Sequence, residues 1–296
     1  MTFDALLRAA AQRLELAGSP TPRIDAELLM THATGRERAW LYTWGDRDCV
    51  GWERARFEAL IAARAQGEPV AYLTGERAFW GLSLLTSRHT LIPRADTETL
   101  VEAALARAGK SGRFLDLGTG TGAIALAFAS ERPGWQVSGL DLRDEAVALA
   151  ARNAARLGLD NATFAQSDWF DALAPVEPAS RFDLIVSNPP YIDAADPHLA
   201  QGDVRFEPRS ALVAADEGLA DLLHLVRQAR DYLFDRGWLM LEHGYRQAPL
   251  VRQALIEAGY TEVESLKDLG EHERVTLGRA VEAAWVEERV QRVKQT

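Results

Sequence analysis

The chain of 296 residues contains a single cysteine, Cys49. One cysteine cannot form a disulfide within the chain, and it excludes a zinc site built from several cysteines. No apolar run reaches the roughly eighteen residues that a membrane-spanning helix needs. Near the N-terminus, Asp4 and Glu15 interrupt the sequence and no basic cluster leads it, so we expect no cleaved signal peptide. We therefore expect a cytoplasmic protein that binds neither a metal nor a membrane.

Positive charge is scarce as well. Lysine occurs only at positions 110, 267 and 294, and the formal net charge is −10. A protein that holds duplex DNA through many phosphates usually carries a basic face. A local basic patch could still lie within an acidic total, but nothing in this composition requires one. We expect no direct binding of nucleic acid. The composition is otherwise typical of a soluble globular protein, with 47% hydrophobic and 26% charged residues.

The first 75 residues show the apolar spacing of helices. Further stripes follow at 24–30 and 52–61, after a break rich in glycine and proline at 18–22. The first stripe consists of Phe3, Leu6, Leu7, Ala10 and Leu14. We interpret residues 1–75 as a helical domain that recognises the substrate, because the chemical motifs all lie further along the chain. Residues 79–85 turn extended, which predicts a hairpin within a linker at 76–95. The catalytic domain is then expected at 96–296.

Strand and helix patterns alternate from about residue 112 onward. Alternation of this kind predicts a parallel sheet with helices on both faces. The apolar runs lie at 113–117, 136–140, 162–166, 182–187 and 238–242, with helical stretches at 122–130, 144–157, 217–234 and 248–258. Two last runs, 261–267 and 273–279, are too close together for a helical crossover and predict an antiparallel edge hairpin. A mainly parallel seven-stranded sheet with such an edge resembles the Rossmann-like class I S-adenosylmethionine-dependent methyltransferase fold.

A glycine-rich turn follows the first strand of this region. Its candidate cofactor-binding residues are Asp116, Gly118, Thr119, Gly120, Thr121 and Gly122. Glycines let the backbone approach a ligand, and the helix that follows offers free N–H groups to an anion such as the carboxylate of S-adenosylmethionine. The spacing of Gly118, Gly120 and Ala123 also satisfies the nicotinamide dinucleotide fingerprint. The turn by itself therefore leaves both cofactors open, and a purely structural turn as well.

Acidic residues follow the next two strands. Asp141 ends the second strand, where a carboxylate can accept hydrogen bonds from both hydroxyls of a ribose. Asp168 and Trp169 follow the third strand. Class I methyltransferases commonly place an acid there for the adenine amino group, with an apolar neighbour against the ring. A surface turn with a half-buried tryptophan is the alternative for Asp168 and Trp169.

The fourth strand runs into Asn188, Pro189, Pro190 and Tyr191. Two adjacent prolines remove two backbone donors and stiffen the turn. The groups that remain near Asn188 are acceptors, namely its side-chain oxygen and the carbonyl of Pro189. This turn lies at the carboxyl end of a strand, where open α/β sheets bind ligands. We predict that these four residues are catalytic and bind a planar NH2 group, with Asn188 also next to the cofactor.

Further segments, taken together with this turn, resemble the HemK/PrmC family. The matching segments are 91–94, 96–98, 116–127, 187–192, 204–208, 241–244 and 273–279. The resemblance extends from about residue 3 to 279. The sequence departs from the family pattern in two places. Ala95 stands where a proline is expected after Arg94, and residues 280–296 extend past the usual end.

The resemblance implies an activity. A HemK/PrmC enzyme transfers a methyl group from S-adenosylmethionine to N5 of the glutamine in the Gly-Gly-Gln loop of class-1 peptide-chain release factors. It implies that release factors are the protein substrates and that Asn188, Pro189, Pro190 and Tyr191 bind the glutamine. Arg94 and Glu207 lie in family segments and are expected to contact the peptide or the cofactor. We expect a monomer, and we interpret Glu242 and His243 as structural.

Two other functions stay open at this point. Enzymes that methylate the exocyclic amine of adenine in DNA or guanine in rRNA also place a similar loop after a methyltransferase glycine turn. A regulatory module that binds the cofactor without turnover is the second alternative, although it would have no need of an intact 188–191 loop. The end of the chain allows an amphipathic helix, with Val281, Ala284, Trp285, Glu288 and Val293 at suitable spacing. We predict that this helix packs on its own chain.

Overall fold

The structure is a computed structural model that describes residues 1–173 and 180–281. Apart from Val281, the predicted tail helix with Ala284, Trp285, Glu288 and Val293 lies outside the described residues. The chain divides into two compact units. The first contains Met1–Glu76, Thr86–Arg88 and Pro197–Glu207. The second contains Arg77–Leu85, His89–Asp196 and the chain from Pro208 onward.

The first unit is helical, as the apolar stripes predict. Its helices are α1 (Phe3–Leu16), α2 (Pro22–Thr34), α3 (Arg38–Thr43), α4 (Gly51–Ala65) and α5 (Val70–Thr74). The Thr2 hydroxyl accepts the Ala5 N–H and caps α1, whereas α2 starts at Pro22 and ends before Gly35 in the left-handed conformation. The first predicted stripe, from Phe3 to Leu14, lies in the core of this unit, whereas Ile24 and Trp52, which open the other two stripes, are exposed.

One buried arginine connects distant segments within the first unit. Arg64 on α4 donates from Nε to Asp25 at 2.7 Å and from Nη1 to Asp203 at 2.6 Å. Both the arginine and Asp25 are almost fully buried. A buried charge needs paired partners of this kind because its desolvation is costly. The pairing fixes Pro197–Glu207, which follows the 188–191 loop in sequence, to the helices of the first unit.

The predicted hairpin is present at the start of the second unit. Strand β1 (Glu76–Phe79) pairs with β2 (Leu82–Leu85). The two turn residues, Trp80 and Gly81, both have positive φ angles, as a tight two-residue hairpin turn requires. Phe79 and Leu84 are buried in the same core cluster as the sheet. The hairpin therefore packs as part of the second unit.

The rest of the second unit is a seven-stranded sheet within the described residues. Its strands are β3 (Gly112–Leu117), β4 (Trp135–Asp141), β5 (Ala162–Gln166), β6 (Phe182–Ser187), β7 (Leu233–Glu242), β8 (Thr261–Lys267) and β9 (Glu273–Arg279). The strand order is β5-β4-β3-β6-β7-β9-β8, and β9 alone runs opposite in direction to the other six strands. The predicted methyltransferase fold, with its antiparallel edge hairpin, is confirmed.

Helices cover both faces of this sheet. They are α6 (Glu98–Arg107), α7 (Ala123–Glu131), α8 (Asp144–Leu157), the short α9 (Ala215–Gly218), α10 (Ala220–Tyr232) and α11 (Ala248–Glu257). Successive strand residues point to opposite faces, so Phe114 and Leu115 join different core clusters, and both are fully buried. The predicted helix at 217–234 starts later, at Ala220, because Glu217 has a left-handed backbone. Strand β7 starts earlier than predicted, and its bulged pairing with β6 includes Arg236 at positive φ.

The register of the parallel strands sets the position of the loops that follow them. Leu117 at the end of β3 pairs with Leu140 on β4 and with Ser187 on β6. The glycine-rich turn, Asp141 and Asn188 therefore emerge at the same edge of the sheet. None of the described helices is long and apolar enough to cross a membrane.

Candidate active site

A cavity of about 300 Å³ lies at this edge of the sheet. It brings together most of the predicted site residues, which are Arg94, Gly118, Thr119, Gly120, Thr121, Asp141, Asp168, Trp169, Asn188 and Pro190. Five predicted residues do not line it, namely Asp116, Gly122, Pro189, Tyr191 and Glu207. Glu207 is buried and belongs to the first unit. The other four belong to the two segments that flank the cavity. Asp116 and Gly122 lie in the glycine-rich segment, and Pro189 and Tyr191 lie in the 188–191 loop.

Hydrogen bonds to the neighbouring strand β4 fix the conformation of the glycine-rich turn. The N–H groups of Gly118 and Thr119 donate to the Leu140 carbonyl at 2.8 and 2.9 Å. Gly118, Gly120 and Gly122 all have left-handed φ angles, between 57° and 81°, which L side chains rarely adopt. The turn thus presents its backbone to the cavity in a form that depends on glycine.

Asp116 supports this turn from inside the protein. Its Oδ2 accepts from the Thr119 hydroxyl at 2.7 Å and from the Ala125 N–H at 3.3 Å. The side chain is wholly buried, and burial raises the pKa of Asp116 to about 7. Its Oδ1 has no hydrogen-bond partner among the described residues. Asp116 therefore shapes the turn and is separated from the cavity by it.

Asp141 faces the cavity with its carboxylate held in place. Oδ2 accepts the Gly120 N–H and Oδ1 accepts the Arg143 N–H, both at 2.9 Å. Burial raises the pKa of Asp141, and the two backbone hydrogen bonds act in the opposite direction. Each carboxylate oxygen has more than one acceptor site, so a second pair of donors can still be bound. The carboxylate is fixed and ready to accept two hydrogen bonds.

A tight turn positions Trp169 beside the glycines. The Ser167 hydroxyl donates to the Trp169 carbonyl at 2.8 Å and accepts the Ala172 N–H at 3.0 Å. This turn holds Trp169 at a positive φ of 45°. A Cβ added to Gly118 would lie 3.7 Å from the Trp169 ring, so the ring lies close beside the glycine turn. Together with Asp168, it forms one wall of the cavity.

The 188–191 loop forms the other side of the site. The Ser187 hydroxyl donates to the Leu117 carbonyl at 2.6 Å and joins the loop to β3. Asn188 donates from Nδ2 to the Thr97 hydroxyl at 3.2 Å. Because the amide nitrogen of Asn188 is engaged in this way, its oxygen is the end that remains for a ligand. Pro189 is buried, and the Gln247 side chain donates to the Tyr191 carbonyl at 3.1 Å.

Two residues beside the site were not predicted to take part in it, since Thr97 was named only within a family segment and Glu242 was interpreted as structural. Thr97 lines the cavity and supports Asn188, and Glu242 lies behind the loop, where its Oε1 accepts from the Tyr191 hydroxyl at 3.5 Å. Burial raises the pKa of Glu242 to about 7 and the pKa of Tyr191 well above its usual range. No local pattern identified Glu242 as a buried acid, because its strand β7 also contains the exposed residues Asp235 and Arg236.

His243, next to Glu242, has a different environment. Its Nδ1 lies 3.0 Å from the Gly244 carbonyl, and its Nε2 lies 2.6 Å from the Thr276 hydroxyl. The ring is fully buried, and burial lowers its pKa. Both ring nitrogens are thus used inside the protein. No group of three or more metal-ligating side chains occurs in residues 1–173 and 180–281.

Comparisons with known proteins agree over nearly the whole chain. Residues 5–75 match the family model described as PrmC N-terminal domain, and residues 108–271 match a methyltransferase domain. The chain is 52% identical over 280 residues to the release factor glutamine methyltransferase of Escherichia coli (strain K12), covering 94% of this chain and 99% of that protein. It is 53% identical over 266 residues to the protein of that name from Pseudomonas aeruginosa, with coverages of 90% and 95%.

Solved structures share the fold. A methyltransferase from Pyrococcus furiosus aligns with a TM-score of 0.53 at 19% identity, covering 75% of this chain and 98% of that chain.

Proposed function

Because the chain belongs to the family of release factor glutamine methyltransferases, we propose that it methylates N5 of the glutamine in the Gly-Gly-Gln motif of release factors. It is a methyltransferase with S-adenosylmethionine as methyl donor. The proposal rests on one observation. Asn188 and Asp141 line the same cavity, and the side-chain oxygen of Asn188 is available to a ligand because its nitrogen donates to Thr97. Since the proposed substrate is a translation factor, we place the reaction in the cytoplasm.

The residues around the cavity fit S-adenosylmethionine. We assign the fixed carboxylate of Asp141 to the two ribose hydroxyls and Asp168 to the adenine amino group, with Trp169 against the ring. The turn at 118–121 is assigned to the methionine half. Because the N–H groups of Gly118, Thr119 and Gly120 donate within the protein, we assign its carboxylate to the start of α7, where Ala123 and Ile124 line the cavity. When bound, the cofactor supplies a methyl group on a positively charged sulfur. The protein's part is to bind it and to exclude water.

The acceptor nitrogen is a difficult nucleophile. Its lone pair is delocalised into the amide carbonyl, and the amide rotation barrier of about 18–20 kcal/mol reflects that conjugation. We propose that the oxygen of Asn188 and the carbonyl of Pro189 accept the two N–H bonds of the glutamine. These acceptors stabilise the NH2 group as it becomes positive, and Tyr191 supports the loop behind them. Fixing the amide plane in this way also supplies much of the positioning that the reaction needs.

The protein substrate is supported over the nucleic-acid alternative by the relatives, which match this chain over 89–95% of its length and bear names that refer to release factors. Arg94 lines the cavity and remains a candidate contact for the peptide. Glu207 does not line it, and we leave it out of the proposed site. No observation on the molecule favours a base amine as acceptor.

The direct test is mass spectrometry of a release factor incubated with enzyme and cofactor. We expect a single added methyl group on the glutamine of the Gly-Gly-Gln motif. Asn188→Ala should lower the rate by about 100-fold or more, by analogy with the loss of one oriented hydrogen-bond partner in other active sites. Its affinity for the cofactor, measured by calorimetry on the same preparation, should stay nearly unchanged. A variant that keeps more than about a tenth of the rate would contradict the role of Asn188.

A further inference from the structure

The 188–191 loop is fixed at its two ends. Its two prolines have no N–H to donate, so these backbone groups cannot hold the middle of the loop. At the start, the side chains of Ser187 and Asn188 donate to neighbouring segments. At the end, the Tyr191 carbonyl accepts a hydrogen bond from the Gln247 side chain at 3.1 Å. The position of the acceptor groups between these ends therefore depends on how firmly each end is held.

Gln247 uses its whole side-chain amide at this end of the loop. Its Oε1 accepts the Gly244 N–H at 2.9 Å, and its Nε2 donates to the carbonyls of Tyr191 at 3.1 Å and Glu217 at 3.4 Å. A backbone N–H can only donate and a carbonyl can only accept, so the amide has one orientation. Gln247 thus joins the start of α11 to two segments that are far away in the sequence.

The turn that Gln247 reaches, at 216–218, has a strained backbone. Asp216 and Glu217 have φ angles of 52° and 56°, and Gly218 follows at 83°. Residues other than glycine rarely adopt this left-handed conformation, and they do so as single residues and not in runs. Such a turn persists where its surroundings hold it in place, and strained turns of this kind cluster at functional sites.

Close packing joins this turn to the loop. A Cβ added to Gly218 would lie 2.1 Å from the Tyr191 carbonyl oxygen and 3.0 Å from Nε2 of Gln247. A Cβ added to Gly244 would lie 3.1 Å from Oε1 of Gln247 and 3.7 Å from the Tyr191 ring. The two glycines therefore let the backbone approach Tyr191 and Gln247 more closely than a residue with a side chain would allow.

We propose that Gln247 is a positioning residue for methyl transfer, whose amide holds the end of the 188–191 loop against the 216–218 turn. The inference rests on the proposed function, because the groups that it places are the proposed acceptors of the glutamine N–H bonds. Gln247 does not line the cavity, and it acts through Tyr191. Without its donated hydrogen bonds the strained turn can relax, and the end of the loop can move with it.

The experiment compares kcat with an intact release factor at saturating cofactor for the wild type, Gln247→Glu and Gln247→Met. The carboxylate introduced by Gln247→Glu can still accept the Gly244 N–H, but when ionised it has no proton for the two carbonyls. In both variants kcat at about pH 8 should fall about tenfold or more, because misplacing a reacting group by about 1 Å can cost about 100-fold. Cofactor affinity, measured by calorimetry, should stay within about threefold of the wild type, since the loss lies in the transition state.

Two controls match these substitutions. Gln253→Met changes an exposed glutamine on the same helix, and its kcat should stay within about twofold of the wild type. Gly218→Ala should lower kcat as Gln247→Met does, because the added methyl group displaces the Tyr191 carbonyl. Gly158→Ala is the control for it. Gly158 has the same left-handed backbone, at φ 67°, but nothing in the described chain beyond its own neighbours lies within 4 Å of the added Cβ.

A readout without turnover reports on the hydrogen bond itself. Among the six tyrosines, Tyr191 alone is followed by an isoleucine. Labelling tyrosine with carbonyl carbon-13 and isoleucine with nitrogen-15 therefore gives a single NMR cross-peak, which belongs to the Tyr191 carbonyl. A carbonyl carbon that loses a hydrogen bond moves upfield. The signal should move upfield in Gln247→Met and Gln247→Glu, and it should stay in place in Gln253→Met.

The outcomes separate this inference from the proposed function. The inference is overturned if the Tyr191 signal is unchanged in Gln247→Met, whatever the activity of the wild type. It is also overturned if Gln247→Met keeps kcat within about threefold of the wild type, or if its cofactor affinity falls as much as its kcat, as general loosening of the unit would produce. A shifted signal with an inactive wild type supports the placing of Tyr191 by Gln247 and refutes the proposed function alone.

Discussion

Asp116 and Asp141 are two carboxyls on neighbouring strands, and their surroundings give them different tasks. Asp116 is wholly buried, accepts from Thr119 and Ala125, and supports the glycine turn from behind. Asp141 lies further towards the end of its strand, lines the cavity and is fixed by two backbone N–H groups. A ligand hydroxyl can thus reach Asp141 and not Asp116. The position of each acid along its strand thus decides whether its carboxyl faces the cavity, as in Asp141, or supports the glycine turn, as in Asp116.

Replacing Asp141 should weaken cofactor binding selectively. A charge-assisted hydrogen bond contributes about 1.5–3 kcal/mol, so Asp141→Ala should bind the cofactor or its demethylated product roughly 10- to 100-fold more weakly. Isothermal titration calorimetry measures this directly. The matched control is Asp144→Ala, which removes an exposed acid three residues further on, at the start of α8. Unchanged affinity in a folded Asp141→Ala protein would remove the ribose assignment.

At the scale of elements, the hairpin and the glycine turn are joined by one buried side chain. Asn153 on α8 accepts the Leu85 N–H at 2.8 Å and donates to the Leu85 and Thr121 carbonyls at 3.1 and 2.9 Å. It is fully buried, so all three hydrogen bonds are shielded from water. Strand β2 therefore supports the cofactor turn although it is not part of the sheet.

Asn153→Ala should disturb both stability and cofactor binding. The substitution leaves the buried polar groups of Leu85 and Thr121 without partners, which costs about 2–4 kcal/mol and lowers the melting temperature by several degrees. The affinity for the cofactor should fall at least threefold, because Thr121 lies in the turn that binds it.

Asn161→Ala is the control for this prediction. Its side chain also donates to three backbone carbonyls, those of Ala129, Arg132 and Trp135, away from the cavity. It should lose stability and keep its affinity for the cofactor. If the two variants lose affinity equally, the weakening reflects general loosening of the unit and not support of the turn.

At the scale of the whole molecule, the division into two units bears on how the enzyme could select its substrate. All residues that line the cavity belong to the second unit. A glutamine side chain is small and common, so the cavity alone cannot choose one residue in one protein. Specificity requires contacts elsewhere, because it is a difference of affinities summed over a surface. We propose that the first unit provides that surface.

A chain that starts near Leu73 tests this proposal. It should fold and bind cofactor, because the hairpin and the sheet are retained, but methylate an intact release factor at least tenfold more slowly. Its loss against a short Gly-Gly-Gln peptide should be much smaller. Initial rates with both substrates and calorimetry with the cofactor are the measurements. An equal loss with both substrates would make the first unit a scaffold and not a recognition surface.

The shortened chain also lacks Arg64, which in the full chain pairs with Asp203. Asp203→Ala in the full chain therefore serves as the control. This variant loses the Arg64–Asp203 ion pair and keeps the helices of the first unit. Its rate with the intact release factor, relative to its rate with the short peptide, should therefore stay close to that of the wild type. A loss as large as that of the shortened chain would assign the effect to Pro197–Glu207.

The sequence by itself determined the fold and the loops that carry the chemistry. Local patterns are sufficient for this, since strand and helix periodicities, the short gap before β9 and the glycine and proline turns each depend on neighbouring residues alone. The edge hairpin at Thr261–Lys267 and Glu273–Arg279 was predicted with its observed bounds. The predicted starts of β7, at 238, and of α10, at 217, were wrong, because the left-handed backbone of Arg236 and of Glu217 cannot be predicted from these residue types.

Only the tertiary structure decided which side chains meet. Asn188 meets Thr97 and Tyr191 meets Glu242, and each pair joins separate segments that pack together at one end of the sheet. The pKa of Glu242 is likewise set by burial, which no local pattern reveals for an acid. The Pro197–Glu207 segment of the helical unit is joined to its helices by the Arg64–Asp203 ion pair and by the hydrogen bond from Arg205 to the Gln66 carbonyl, each between residues 139 positions apart. Contacts between distant residues carry no local signal in a single sequence, so they had to be found in the folded molecule.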